Sequence, residues 1–139
     1  MVNAIEEMED GLHSLDIVTQ LMDALERKDA PAMLDLMAPE IVFHNLPWEP
    51  LDKAGTADFF DKMFGVLANY RVDILLQKGV GNIVFNERLE HFEFKAPHGG
   101  SADMPIAAVF ELNDLGQVVA WREYFDADTW VRQGGPALD

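Results

Sequence analysis

The sequence contains no cysteine and few basic side chains. Without cysteine the chain has no disulfide, no thiolate metal site and no cysteine nucleophile. Its 10 Lys and Arg against 25 Asp and Glu leave a formal charge of -15, which repels the phosphates of nucleic acids and anionic membranes. We therefore expect neither nucleic acid nor a membrane as a partner.

The sequence also lacks any apolar run long enough to cross a bilayer. Residues 1–11 are acidic where a signal peptide would be basic, so we expect a cytoplasmic protein. The 139 residues include nine Phe and three Trp, and 49% are hydrophobic, enough for one well-buried core. We predict a single domain over residues 1–139, with residues 1–11 and 131–139 as flexible tails.

Helical periodicity is confined to the first half of the chain. A first helix is indicated by apolar residues at three- and four-residue steps, namely Leu15, Val18, Leu21, Met22 and Leu25. Ser14 is its predicted N-cap. A second helix is expected over residues 32–36, and a third, capped by Thr56, over residues 57–67.

The remaining pattern is typical of strands. Runs rich in β-branched and aromatic residues predict strands over 40–45, 71–78, 82–94, 106–112 and 118–125. Turns are expected at 79–81, 97–101 and 113–116. Helices grouped apart from an antiparallel meander indicate an α+β fold, in which a curved mixed or antiparallel sheet wraps the N-terminal helices and leaves an internal pocket.

Charged residues on this sheet are candidates for chemistry. Arg88 and Glu90 lie two apart on one strand and so share a face, as do Trp121 and Glu123 on the last strand. Pairing through the last turn could bring Glu123 within reach of Arg88. Two carboxylates bridged by a guanidinium in an apolar pocket can supply a base and an acid together. The same residues also fit an ordinary cross-strand salt bridge on a solvated face.

Four stretches carry a resemblance to a known family. These are residues 43–47 (Phe-His-Asn-Leu-Pro), 86–90 (Asn-Glu-Arg-Leu-Glu), 105–112 and 121–126. They resemble the limonene-1,2-epoxide hydrolase family over roughly residues 12–130. The resemblance implies an NTF2-like cone, similar in fold to ketosteroid isomerase and SnoaL-type cyclases. It also implies one-step opening of an epoxide to a diol without metal, other cofactor or covalent intermediate.

The resemblance assigns roles to individual residues. Glu123 would take a proton from water, Glu90 would protonate the epoxide oxygen, and Arg88 would bridge them. Asn45 would help to hold the water. Both acids are aspartates in the family, and Phe43 stands where the family has a water-binding tyrosine. Residues expected to contact substrate or water are Asn45, Phe43, Trp121, Phe64 and Trp48.

Two other readings stay open. The pocket could instead move a proton beside a carbonyl, as in an isomerase or polyketide cyclase, but that reaction needs an oxyanion donor and Phe43 has no hydroxyl. The chain could also be a binding or dimerisation module without turnover. We expect a small apolar ligand and a homodimer. His44 and His91 are expected to face away from the pocket, and histidine spacing predicts no metal site.

Overall fold

Nine helices and strands occupy residues 3–138, the part of the chain that the computed structural model describes. In chain order they are α1 (Ala4–Glu26), α2 (Ala30–Asp35), β1 (Met37–Asn45), α3 (Lys53–Gly65), β2 (Leu67–Val80), β3 (Ile83–Phe94), β4 (Ser101–Leu112), β5 (Val118–Tyr124) and α4 (Ala127–Arg132). The predicted α+β class is confirmed. None of the helices in the described part is long and apolar enough to cross a membrane.

The helices begin earlier than predicted. Asn3 caps α1 by accepting a hydrogen bond from the Glu6 N–H, and Asp52 caps α3 in the same way. The predicted caps Ser14 and Thr56 are wrong, because both are buried within helices. The first turns of α1 are exposed, but their apolar residues Ile5, Met8 and Leu12 continue the helical spacing of the stripe, so the sequence carries a signal for the earlier start.

The five strands form one open mixed sheet in the order β1-β5-β4-β3-β2. Strand β1 runs parallel to β5, and the other three pairings are antiparallel. The predicted neighbours are confirmed: β5 lies beside β4, and β3 flanks that pair. Side chains alternate between a buried and an exposed face along β3 and β5, so each strand presents one row of residues to the core.

Helices α1, α2 and α3 pack against the sheet, with α1 over β2 and β3 and α3 over β1. Between these helices and the sheet lies the apolar core, which includes Leu21, Phe43, Phe110 and Trp121. Helix α4, which no pattern predicted, places Trp130 against Phe92 and Phe94 at the far end of the sheet. Secondary structure thus extends into both segments expected to be tails.

Candidate active site

Three strands bring the predicted charged residues together. Arg88 and Glu90 lie on β3 and point to the buried face, while Glu123 lies on β5, with β4 between them. In the sheet, Asn86 on β3 is paired with Ala108 on β4, and Ala108 is paired with Glu123 on β5. Because Ala108 has only a methyl group, the long Arg88 side chain can pass over β4 and reach Glu123.

Arg88 is fully buried, and its guanidinium bridges the two acids. Nη2 lies 2.6 Å from Glu123 Oε1 and 2.6 Å from Glu90 Oε2, while Nε donates to the same Glu90 oxygen at 3.0 Å. Nη1 donates to Asn86 Oδ1 at 2.8 Å. The exposed fractions of the two glutamate side chains are 4% and 8%, so this is a buried charge cluster and not a solvated cross-strand pair.

Burial and neighbouring charges shift the pKa values of Arg88 and Glu123. Burial alone would lower the pKa of Arg88, but the carboxylates of Glu123 and Glu90 outweigh it and hold that pKa above its ordinary value. Burial raises the pKa of Glu123, which Arg88 lowers in part and Glu90 raises further. Within residues 3–138, Glu123 Oε2 and the Trp121 indole N–H are both buried without a hydrogen bond of ordinary geometry, although the indole is near enough to lower the pKa of Glu123 slightly. Glu123 therefore has one oxygen free to accept a proton.

Tyr70 on β2 completes the cluster, and sequence reasoning missed it. Its hydroxyl is hydrogen-bonded to Glu90 Oε1, on the side away from Arg88. Burial, followed by the charge of Glu90, raises the pKa of Tyr70 well above its ordinary value, so the phenol keeps its proton. The predicted strand began at residue 71, one position too late to include it. The available signal was that a buried tyrosine hydroxyl needs a polar partner.

The cluster forms the polar part of an otherwise apolar cavity, called here the inner cavity. Its free volume is about 50 Å³, room for a few water molecules or a small functional group. The lining residues are Leu25, Phe43, Asn45, Trp48, Phe59, Phe60, Met63, Tyr70, Glu90, Phe92, Met104, Ile106, Glu123, Phe125, Trp130 and Leu138. Its polar lining groups are the Asn45 amide, the Tyr70 hydroxyl and the two carboxylates.

Most, but not all, of the predicted contact residues line this cavity. Phe43, Asn45 and Trp48 do. Phe64 does not line the cavity: it follows Phe60 one turn later on α3 and packs against it, at 5.6 Å between ring centroids. Trp121 is fully buried in the core against Phe43 and Phe60 and is not among the residues that line the cavity.

A larger chamber, called here the outer chamber, adjoins the inner cavity and shares Asn45, Trp48, Phe59, Trp130 and Leu138 with it. Its volume is about 570 Å³, and its walls come from the segment after β1, from α4 and from residues 135–138. Trp130 donates its indole N–H to the Pro136 carbonyl at 2.9 Å, which holds the C-terminal segment against α4. The two spaces together can receive a molecule larger than the inner cavity alone.

The histidines near the site face away from it, as predicted. His44 Nε2 contacts the Trp48 carbonyl, and His91 lies between Asp103 at 2.6 Å and Asp73 at 2.9 Å. The hydrogen bond with Asp103, followed by the one with Asp73, raises the pKa of His91. No group of three or more metal-ligating side chains occurs within the described residues.

The chain was compared with known families and solved structures. The family model described as a SnoaL-like domain matches residues 18–121. An LEH-like epoxide hydrolase from M. tuberculosis is 22% identical, with 88% of this chain and 92% of that chain covered and a TM-score of 0.74. A Pseudomonas putida protein provisionally assigned as a polyketide cyclase is 23% identical, with 86% and 96% covered and a TM-score of 0.72.

A SnoaL-like protein from Jannaschia, also provisionally assigned as a polyketide cyclase, is 17% identical, with 91% and 95% covered and a TM-score of 0.80. At these identities the likeness to solved structures shows the fold alone. The expected NTF2-like fold is confirmed by the family match together with these neighbours. These similar structures thus include one epoxide hydrolase and two proteins provisionally assigned as polyketide cyclases.

Proposed function

The chain belongs to the SnoaL-like domain family, and from that premise we propose that it hydrolyses a small apolar epoxide to a diol. The observation that carries the proposal is the fully buried Arg88 between Glu90 and Glu123 at the polar end of an apolar cavity. Burying an arginine and two carboxyl groups is costly, and their position at the cavity favours a chemical role over a purely structural one.

In the proposed reaction, water attacks one epoxide carbon directly. Glu123 removes a proton from this water through its free Oε2, while Asn45, its register partner on β1, helps to hold the water. The raised pKa of Glu123 makes it a stronger base than an exposed glutamate. The Glu90 carboxyl group supplies the proton that reaches the epoxide oxygen as the C–O bond breaks. Arg88 bridges the two acids throughout.

The test is hydrolysis of a panel of epoxides, limonene oxide and styrene oxide among them, followed as diol formation. Glu123→Gln removes the base with little change in shape, and we expect kcat to fall by roughly a hundredfold or more. Glu111→Gln is the matched control, because Glu111 pairs with Arg122 at 2.5 Å outside the site. Absence of turnover by folded wild-type protein on every epoxide would contradict the proposal.

One observation favours a second candidate, proton transfer beside a carbonyl. Phe43 cannot donate a hydrogen bond to an enolate oxygen. The Tyr70 hydroxyl, which donates to Glu90 Oε1 in the structure, belongs to a residue that lines the inner cavity and could donate to such an oxygen instead. Glu123 would then remove the proton from carbon. Exchange of ketone α-protons in deuterated water, followed by NMR, tests this reaction. Exchange by wild type but not by Glu123→Gln, with no epoxide hydrolysis, would favour this second reaction.

A further inference from the structure

The contacts of Glu90 limit how it can release a proton into the inner cavity. Its Oε2 accepts two hydrogen bonds from Arg88, at 3.0 Å from Nε and 2.6 Å from Nη2. A proton on this oxygen would meet two N–H donors that already point at it. The acid form of Glu90 must therefore carry its proton on Oε1.

The other oxygen of Glu90 is also engaged. In the structure Oε1 accepts a hydrogen bond from the Tyr70 hydroxyl, and Tyr70 lines the cavity beside it. When Oε1 carries the proton, the direction of this hydrogen bond reverses and the phenol O–H is released toward the cavity. A proton that leaves Oε1 therefore meets the phenol oxygen first. Because a hydroxyl both donates and accepts, Tyr70 can take this proton while it gives its own to a substrate oxygen.

We propose that Tyr70 is a catalytic residue that carries the proton from Glu90 to the oxygen of the bound substrate. This inference rests on the proposed hydrolysis and extends it to a residue on β2. When the epoxide C–O bond breaks, the Tyr70 O–H bond breaks toward the new alkoxide. The Glu90 proton moves to Tyr70 in the same step, and Glu123 keeps the proton taken from water.

Proton balance is maintained in this scheme. The diol gains one hydroxyl from water and one proton through Tyr70, Glu90 becomes the carboxylate, and Glu123 becomes the acid. Return of that proton from Glu123 to Glu90 through water or the departing diol restores the starting state. Tyr70 remains neutral at both ends of the cycle, in agreement with its strongly raised pKa.

Tyr70→Phe removes the hydroxyl and keeps the ring, so it is the first test. We expect kcat to fall about a hundredfold while KM changes little, because the lost contact matters most in the transition state. Tyr124→Phe is the matched control, since Tyr124 is the only other tyrosine and its side chain is exposed outside the cavity. Thermal unfolding of each variant verifies that it is folded.

Two further readouts separate proton transfer from a structural role. If Tyr70 and Glu90 act in one path, the double variant Tyr70→Phe with Glu90→Gln loses little more activity than the worse single variant. The loss in Tyr70→Phe should also shrink for a trifluoromethyl-substituted epoxide, whose alkoxide needs less protonation. The proposal would be overturned if Tyr70→Phe kept the wild-type kcat, or if the losses of the two single substitutions added fully in the double variant.

A binding experiment tests the hydroxyl even if no epoxide is turned over. Trp48 and Trp130 line the cavity, so tryptophan fluorescence can report ligands. Cyclohexyl methyl ether and its hydrocarbon analogue ethylcyclohexane differ in one oxygen. We expect wild type and Tyr124→Phe to prefer the ether by roughly fivefold, and Tyr70→Phe to lose that preference. An unchanged preference in Tyr70→Phe refutes the contact, whereas absent hydrolysis with this preference refutes only the hydrolase proposal.

Discussion

At the scale of single residues, Arg88 is the centre of the site. It has no exposed surface, and its donors contact Glu90, Glu123 and Asn86. Asn86 in turn donates to Gln77 at 3.0 Å, so polar contacts continue behind the guanidinium. A buried cation with matched acceptors is tolerated, but removing it leaves two carboxylates facing each other without compensation.

Arg88→Leu should therefore destabilise the protein by about 3–5 kcal/mol, measured as the free energy of unfolding in urea. The matched control is Arg122→Leu, whose partner Glu111 is partly exposed and whose removal should cost about 1 kcal/mol or less. Equal effects of the two substitutions would show that the Arg88 cluster has no special energetic role.

The raised pKa of Glu123 predicts how the activity depends on pH. A base works only when ionised, so kcat/KM should fall as pH decreases through the raised pKa of Glu123, which lies above the ordinary value of 4.5. In the proposed cycle Glu90 and Glu123 share one proton, and each carboxylate disfavours ionisation of the other. Glu90→Gln removes this coupling, so the Glu123 titration should move to lower pH. NMR titration of the Glu123 carboxyl carbon in both proteins measures the shift, and a shift to higher pH contradicts this account.

Much of the cluster could be predicted from the sequence, and Tyr70 could not. Spacing of two along a strand is enough to place Arg88 beside Glu90, and the last turn brings β5 beside β4. The contact between Tyr70 and Glu90 depends on where β2 begins and how it registers with β3. Strand ends and register are set by tertiary packing, which one strand's own pattern does not encode.

At the scale of elements, α1 crosses β2 at two glycines. A Cβ atom on Gly79 would lie 2.6 Å from the Gly11 carbonyl oxygen, and one on Gly11 would lie 2.7 Å from that of Gly79. The prediction that Gly79 belongs to a turn is wrong: it lies within β2, and only Gly81, with φ of 58°, has the left-handed conformation of the turn. The close crossing fixes the first helix against the sheet.

Gly79→Ala should lower the free energy of unfolding by about 1–3 kcal/mol, because the added methyl meets backbone that cannot move aside cheaply. Gly65→Ala is the control, since a Cβ there has nothing within 4 Å and the residue ends α3. Urea unfolding of both variants measures the difference. A Gly79→Ala protein as stable as wild type would mean that the helix and strand can separate freely.

The order of the helices and strands followed from periodicity, while several boundaries did not. Apolar stripes and β-branched runs are local signals, and they are enough to predict the order of the elements: two helices, a strand, a helix and then a meander of strands. The apolar stripe of α3 begins after its cap at Asp52 and so marks that helix too late, whereas Ile5, Met8 and Leu12 continue the stripe of α1 back toward its cap at Asn3 and were overlooked. Helix α4 has a single buried residue, Trp130, and therefore no period to recognise.

At the scale of the whole molecule, the outer face of the sheet carries exposed apolar side chains. Val42, Ile83, Phe85 and Tyr124 lie there, each between 39% and 48% exposed. They extend from β1 to β3 across the sheet, a patch of the kind that commonly mediates association. We propose that two copies of the chain associate through this face, which leaves both cavities on the opposite side free.

Phe85→Glu should convert such a dimer to monomers, because it introduces a charge into the apolar patch. Leu115→Glu is the matched control: Leu115 is 82% exposed, in the turn between β4 and β5. Sedimentation equilibrium measures the mass of both variants and of wild type. A monomeric wild type, or a dimer that survives Phe85→Glu, contradicts an interface on this face.

The central claim is that Glu123 directs water onto the substrate without a covalent intermediate. Its most direct test is a single turnover with enzyme in excess over an epoxide, in water labelled with heavy oxygen, followed by mass spectrometry of the diol and of the protein. We predict diol carrying one labelled oxygen and protein carrying none at Glu123. Unlabelled diol with label gained in the Glu123 carboxyl would show that the carboxylate attacks the epoxide itself, and would contradict the account.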